Sequence, residues 1–273
     1  MTEPKTKTDA KISTKLSVNV NKIALLRNSR DTTIPSVVAA AQTCIDAGAA
    51  GITVHPRPDM RHIRPGDVYD LAALLAQPAN QAIEFNIEGN PFAGPEDNGF
   101  PGFMALVEAT RPAQCTLVPD DPIQLTSDHG WDLSGDNSHL QAIIQQLHQL
   151  GCRVSLFMDP VPAQLRLAKQ LGTDRIEFYT GPYADHYASK QAGRANQHEQ
   201  ILATFVAAAA VAKELGLGIN AGHDLNQDNL AAFCQAVQPV AEVSIGHGLI
   251  TDALWDGLDT TVRRYNAILE NTG

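Results

Sequence analysis

The sequence predicts an α/β fold, a single-domain (β/α)8 TIM barrel, on three observations. Eight short β-rich runs alternate with longer helical patterns from residue 16 to the C-terminus. Several runs are continuous and apolar (G-I-T-V-H, C-T-L-V, V-S-L-F), as expected of parallel strands buried on both faces. No G-x-G-x-x-G follows any run, so the usual mark of the rival doubly wound sheet is missing. A chain of 273 residues suits one such barrel, which runs to ~250 residues as a single domain.

The strand runs fall at residues 16–20, 51–55, 83–88, 114–118, 152–157, 175–179, 218–220 with flanks, and 242–245. Helical patterns occupy 35–47, 67–75, 101–110, 138–150, 162–171, 200–215, 226–237 and 249–269. Gly48, Gly151, Gly172 and Gly216 stand just past four of these, where glycine supplies the left-handed stop. Residues 1–15 are polar and lysine-rich, with no apolar stretch of the secretory kind. They are expected to form a disordered arm ahead of a catalytic domain at 16–273.

Composition narrows the function. Thirty acidic against twenty basic residues give a formal charge of −10, which disfavours a nucleic-acid or membrane-surface partner. No run of ~18 apolar residues is present, so no membrane span is expected. Cys44, Cys115, Cys152 and Cys234 are far apart and form no C-x-x-C pair. They read as buried free thiols of a cytoplasmic protein.

Barrel chemistry gathers at the C-terminal ends of the strands. The first run is followed by Asn19, Asn21 and Lys22, then by Arg27 and Arg30 in what reads as a polar loop. The second carries His55, Arg57, Arg61, His62 and Arg64, and the third ends in Glu88. After the fourth comes a long loop, 119–131, with Thr126 and His129. The fifth ends in Asp159, and the sixth holds Glu177. The seventh and eighth end in Gly222-His223 and Gly246-His247. Glycines after strands 7 and 8 let backbone N–H groups approach a phosphate closely. The arginine-rich stretch after strand 2 offers a second anion site. His55 and His223 titrate near neutrality, and burial would raise Glu88 and Glu177 into the useful acid–base range. For Glu177 a buried ion pair with Arg175 or Arg153 is an equal alternative. Metal-dependent barrel hydrolases carry His-x-His after strand 1, whereas this chain has Asn19-Val-Asn21, so no metal is expected.

At these residues the chain resembles the pyridoxine 5′-phosphate synthase family of vitamin B6 biosynthesis. The stretches that carry the resemblance are S-V-N-V-N-K-I-A-L-L-R-N-S-R, G-I-T-V-H-P-R-P-D-M-R-H-I, F-N-I-E-G, T-L-V-P-D-D-P-I-Q-L-T-S-D-H-G-W-D, R-V-S-L-F, Y-T-G-P-Y, G-I-N-A-G-H-D-L and V-S-I-G-H-G-L. The resemblance implies a barrel that assembles into homo-octamers and uses no cofactor. It also implies a condensation of 3-amino-2-oxopropyl phosphate with 1-deoxy-D-xylulose 5-phosphate that releases phosphate and water. Carried over by motif, His55 and Glu88 are acid–base groups and His223 is a proton donor. Asn19, Arg30, Asp224, Gly246 and His247 fall where the family holds the aminoketone phosphate. Asn21, Lys22, Arg57, His62 and Thr126 fall where it holds the deoxyxylulose phosphate. Asn21 and Lys22 stand where an Asp-His pair is usual, and Asp224 replaces a glycine. The Gly/Pro-rich loop 89–99 reads as a flap or insertion, and loop 119–131 as a lid. Two alternatives remain at this stage: a Schiff-base aldolase using Lys22, and a non-catalytic phosphosugar-binding paralogue.

Overall fold

Side chains alternate between the two faces of a strand, and here the alternation sorts by polarity. One set is apolar: Leu16, Val18, Ile52, Val54, Ile87, Leu117, Leu156, Ile176, Phe178, Val243 and Ile245 are all buried. The other set is polar and equally buried: Ser17, Thr53, Asn86, Gln114, Thr116, Glu177, Asn220, Glu242 and Ser244. The computed structural model, which describes residues 13–30, 32–121, 124–190 and 195–272, resolves this pattern into a closed barrel. Its strands are β1 (Lys15–Asn19), β2 (Gly51–Val54), β3 (Glu84–Gly89), β4 (Gln114–Leu117), β5 (Arg153–Met158), β6 (Arg175–Tyr179), β7 (Gly218–Gly222) and β8 (Glu242–Ile245). Each pairs in parallel with the next, and β8 closes on β1 with Leu16 opposite Val243. The apolar face meets the helices, and the polar face fills the lumen.

Hydrogen bonds link the lumen across strands. Ser17 bonds Thr53 at 2.7 Å, Asn86 donates to Thr53, and Thr116 donates to Asn86 and Glu177. Gln114 on β4 reaches Glu242 on β8 at 3.3 Å, a contact possible only through the interior. The lower mouth holds an ionic cluster: Arg153 pairs with Glu84, and Arg175 with Glu242 at 3.1 Å. The strands are buried on both faces, as expected. The runs are not apolar throughout: the inward positions are largely polar and linked by the hydrogen bonds above, while Ser155 Oγ has no partner among the described residues.

The helices form the outer layer: α1 (Asn21–Asn28), α2 (Val37–Asp46), α3 (Pro65–Leu75), α4 (Phe103–Thr110), α5 (Ser138–Gln149), α6 (Pro162–Leu171), α7 (Gly181–Lys190), α8 (Ala195–Glu214), α9 (Leu230–Ala236), α10 (His247–Asp256) and α11 (Leu258–Glu270). Ser36 caps α2 by accepting from the Ala39 N–H at 3.2 Å. Three elements differ from the sequence expectation. Residues 21–28 are a helix rather than a loop. It starts where Asn19 Oδ1 accepts from the Asn21 N–H at 3.0 Å, and it buries Ala24 and Arg27. Residues 181–190 add a helix straight after β6. The pattern at 249–269 is two helices, broken at Gly257, whose φ of +79° no helix continues through. The expected arm falls mostly on residues 1–12, outside the described residues. Lys15 already belongs to β1, and Thr14 Oγ1 donates to the Val240 carbonyl at 2.8 Å. All four cysteines are buried and free. Among the described residues no helix is long and apolar enough to cross a membrane.

The outward strand face is the main apolar core. Leu156→Ala should lower unfolding free energy by ~2–5 kcal/mol, the range for truncating a fully buried leucine. Chemical denaturation measures it, and a loss near zero would show that this face carries no packing energy.

Candidate active site

The upper mouth continues the polar lumen. Asn19 Nδ2 donates to Glu88 Oε2 and Ser244 Oγ to Glu88 Oε1, both at 3.3 Å, so Glu88 bridges three strands. It is 9% exposed. Burial pushes its carboxyl up to about 8, with nearby Asp120 and Glu242 adding to the rise. Glu177 lies deeper and is raised by burial and by Glu88. Its hydroxyl contact is Thr116; Arg153 and Arg175 are committed to Glu84 and Glu242 at the lower end. The ion-pair alternative for Glu177 is thus overturned, and the lumen holds two carboxyls whose protonated form burial favours.

A cavity of about 410 Å3 opens above them. Its lining brings together Asn19, Asn21, Lys22, His55, Arg57, His62, Glu88, Thr126, His223, Asp224, Gly246 and His247. Arg30 is exposed beyond the end of α1 and does not line it. Arg27 is also elsewhere, buried against Asp67 of α3 and donating to the His62 carbonyl. Gly246 and His247 begin α10, so the positive end of that helix faces the cavity. A Cβ at Gly246 would lie 3.1 Å from Asn19, which is why a glycine holds the close approach there. A helix N-terminus with a glycine is a ready anion site.

The opposite wall is basic but already engaged. Asp120 accepts from Arg57 and, at 2.7 Å, from Ser127. Arg57 and Arg61 also donate to the Gln124 carbonyl at 3.1 and 3.0 Å. These contacts hold Asp120 and residues 124–127 at the cavity, with Leu125, Thr126 and Ser127 in its wall. The loop's far end presses on β5, where a Cβ at Gly130 would meet the Asp159 backbone at 2.2 Å. Loop 89–99 is tied down too: Asn98 donates to the Pro58 carbonyl and Asn90 to that of Asp120. His55 is buried, with its backbone N–H held by Asn21 Oδ1 at 2.9 Å. Burial, then Arg57, His62 and Arg61, hold it well below the usual histidine value, so the ring is neutral. Burial and Arg57 bring His62 to about 3. Its Nδ1 accepts the Ile63 N–H.

The sequence reading missed Asp120, Ser127, Ser244 and Phe157. Asp120 stands in a run of two aspartates, and only its contact with Arg57 singles it out. Its Oδ1 is buried with no hydrogen-bond partner among the described residues.

With the geometry in place, comparison with known proteins is decisive. The family described as "Pyridoxal phosphate biosynthesis protein PdxJ" matches residues 16–271. The chain belongs to the PdxJ family. Among relatives, the pyridoxine 5′-phosphate synthase of Xanthomonas oryzae pv. oryzae (strain PXO99A) is 56% identical over 261 residues, covering 96% of this chain and 98% of that one. The enzyme of the same name from Xylella fastidiosa (strain 9a5c) is 54% identical, covering 94% and 95%. Tryptophan synthase from M. tuberculosis superposes with a TM-score of 0.58 at 13% identity, covering 95% and 94%. Phosphoribosyl anthranilate isomerase from Thermotoga maritima gives 0.54 at 10%, covering 94% and 99%. These two share the barrel fold alone. PdxJ membership does not favour the aldolase or the non-catalytic alternative.

Glu88 makes stability depend on pH with a definite sign. The folded protein keeps a proton that the unfolded chain releases near its usual 4.5. Its favourable contribution is therefore full below that value and lost as pH rises towards about 8. Glu88→Gln does not titrate. Its stability relative to wild type should rise between pH 5 and 8.5 by on the order of a few kcal/mol. A difference that stays flat in denaturation at the two pH values would refute the neutral carboxyl.

Proposed function

We propose that the chain is a pyridoxine 5′-phosphate synthase. It condenses 3-amino-2-oxopropyl phosphate with 1-deoxy-D-xylulose 5-phosphate and releases phosphate and water. The observation that carries this reading is a buried carboxyl, Glu88, in one cavity lined on one side by the α10 N-terminus and also by Arg57. Two phosphorylated substrates need two such groups, and the α10 N-terminus and the Arg57 side supply them.

The residues suit the steps. The substrate amine attacks the sugar ketone, and loss of water gives an imine. His223, at the cavity wall, donates the proton that lets water leave. Glu88, in the carboxylate form that a group near 8 still partly populates at neutral pH, then takes a carbon-bound proton to give the enamine. A carboxyl near 8 gains and loses protons readily at neutral pH. Loss of a second water, phosphate elimination, water addition and closure onto the second carbonyl follow, with His55 a neutral acceptor in the wall. Loss of a third water makes the ring aromatic, so one phosphate and a net two waters leave. Loop 119–131 shields the intermediates from water. Lys22, on the first turn of α1, exerts its charge on His62 and Asp224, which fits an anion-binding ammonium. Homo-octameric assembly and a cytoplasmic location follow from the family resemblance, and light scattering tests the first.

The primary test is purified protein with both substrates, assayed for pyridoxine 5′-phosphate and released phosphate. Glu88→Gln should bind both substrates yet lose turnover by ~10²-fold or more; wild-type turnover would remove Glu88 from the chemistry. Lys22→Ala should raise KM for the deoxyxylulose phosphate about tenfold, near 1.4 kcal/mol for one lost charged contact, with little change for the aminoketone. Unchanged KM for both would place Lys22 outside the binding site. A covalent adduct at Lys22 trapped by borohydride would favour aldolase chemistry instead.

A further inference from the structure

At the exit of β7 the backbone takes an uncommon path. His223 and Asp224 both lie in the left-handed region, at φ +80° and +59°. Side chains with a Cβ seldom adopt it unless their surroundings hold them there. The holding groups are visible. Thr180 Oγ1 donates to the carbonyls of Gly222 and His223, and Asn229 Nδ2 to that of Asp224 at 3.1 Å. The consequence is local. His223 Nδ1 stands 2.8 Å from Asp224 Oδ2, and Nε2 stands 3.0 Å from Thr126 Oγ1. The ring also packs edge-on against Tyr179, with centroids 5.0 Å apart. The imidazole is held at both nitrogens and on one face.

We propose that Asp224 is a positioning residue: its carboxylate fixes the His223 proton on Nδ1 and aims Nε2 into the cavity. This deepens the synthase reading and rests on His223 as its proton donor. A carboxylate would repel a phosphate at this place. Turned back onto the ring, it acts on the acid–base group instead, much as a buried aspartate orients a catalytic histidine in other enzymes. The hydrogen bond from His223 holds the Asp224 carboxyl below the usual range, so the partner of the ring is an anion. Thr126 rides on loop 119–131. The hydroxyl at Nε2 therefore marks where a reacting oxygen would take the proton.

The charged and titratable groups around the pair are few. Tyr179 faces the ring from β6. Lys22 of α1 and His247 of α10 lie near Asp224 and favour its anionic form. Asp185 of α7 shares a side groove with Asp224, and Glu88 and Glu177 share the main cavity with the ring. Asp224 is 41% exposed on its side chain, so solvent screens the interaction.

Two variants separate side chain from backbone. Asp224→Gly removes the carboxylate at a position whose φ glycine takes freely. Asp224→Asn tolerates the left-handed region and keeps an acceptor, but carries no charge. The nine histidines are labelled with 15N in the intact protein, and His223 is assigned by loss of its signal in His223→Gln. In wild type the neutral ring should be protonated on Nδ1. Asp224→Gly should lose the tautomer preference; Asp224→Asn should keep it through its remaining acceptor. A ring with the same tautomer in wild type and in Asp224→Gly overturns the proposal. kcat for pyridoxine 5′-phosphate formation should fall about tenfold in Asp224→Gly, with KM for both substrates little changed, and recover in Asp224→Asn. A wild-type kcat in Asp224→Gly, with the tautomer preference lost, overturns the positioning role. Wild type that makes no product, while the ring readout behaves as stated, counts against the synthase reading and leaves the histidine–carboxylate pair supported.

Discussion

The hydrogen-bonded polar lumen is the constraint on which the rest of the structure depends. Ser17, Thr53, Asn86 and Thr116 connect adjacent strands, while Gln114–Glu242 and Ser244–Glu88 connect strands across the interior. Such a network is costly when half satisfied and specifying when complete. Strand register follows from it: a slip of one residue would put this set against the helices and the leucines in the lumen. The active site is the top layer of the same ladder. Burial there among hydroxyl and amide groups favours the protonated form of Glu88, and no cation is bonded to it among the described residues.

The basic wall shows a second use of the same physics. Arg57 belongs to the cavity, yet Asp120 and the Gln124 carbonyl already occupy its donors. A buried guanidinium needs such partners. An arriving phosphate must therefore share or displace contacts that also position loop 119–131, so anion binding and the placement of the loop are coupled through one side chain. The unpartnered Oδ1 of Asp120 lies at this junction.

Much of this was legible in the sequence because the strand ends are marked by chemistry. The runs around GITVH, VSLF and EVSI locate β2, β5 and β8 to within a residue or two; His55, Arg57 and His62 after β2 and His247 after β8 line the cavity, whereas Asp159 after β5 does not. The interior was not legible. An inward Thr53 or Ser155 inside an apolar run looks like a tolerated exception until closure sets them all face to face. The helix at 21–28 was hidden because its short pattern ends in Arg-Asn-Ser-Arg, which reads as loop; its buried face is completed by the Arg27–Asp67 pair, a contact 40 positions apart. For the same reason Arg27 drops out of the rim. Asp120 and the fate of Arg153 and Arg175 depended on cross-barrel partners that no local pattern encodes.

The ionic cluster at the lower mouth has a consequence for traffic. Glu84, Arg153, Arg175 and Glu242, with Gln114 and Asn220 between them, stopper the barrel from below. Among the described residues the barrel axis offers no passage from below, and the cavity is reached from the upper mouth, the side on which Thr126 and Ser127 stand.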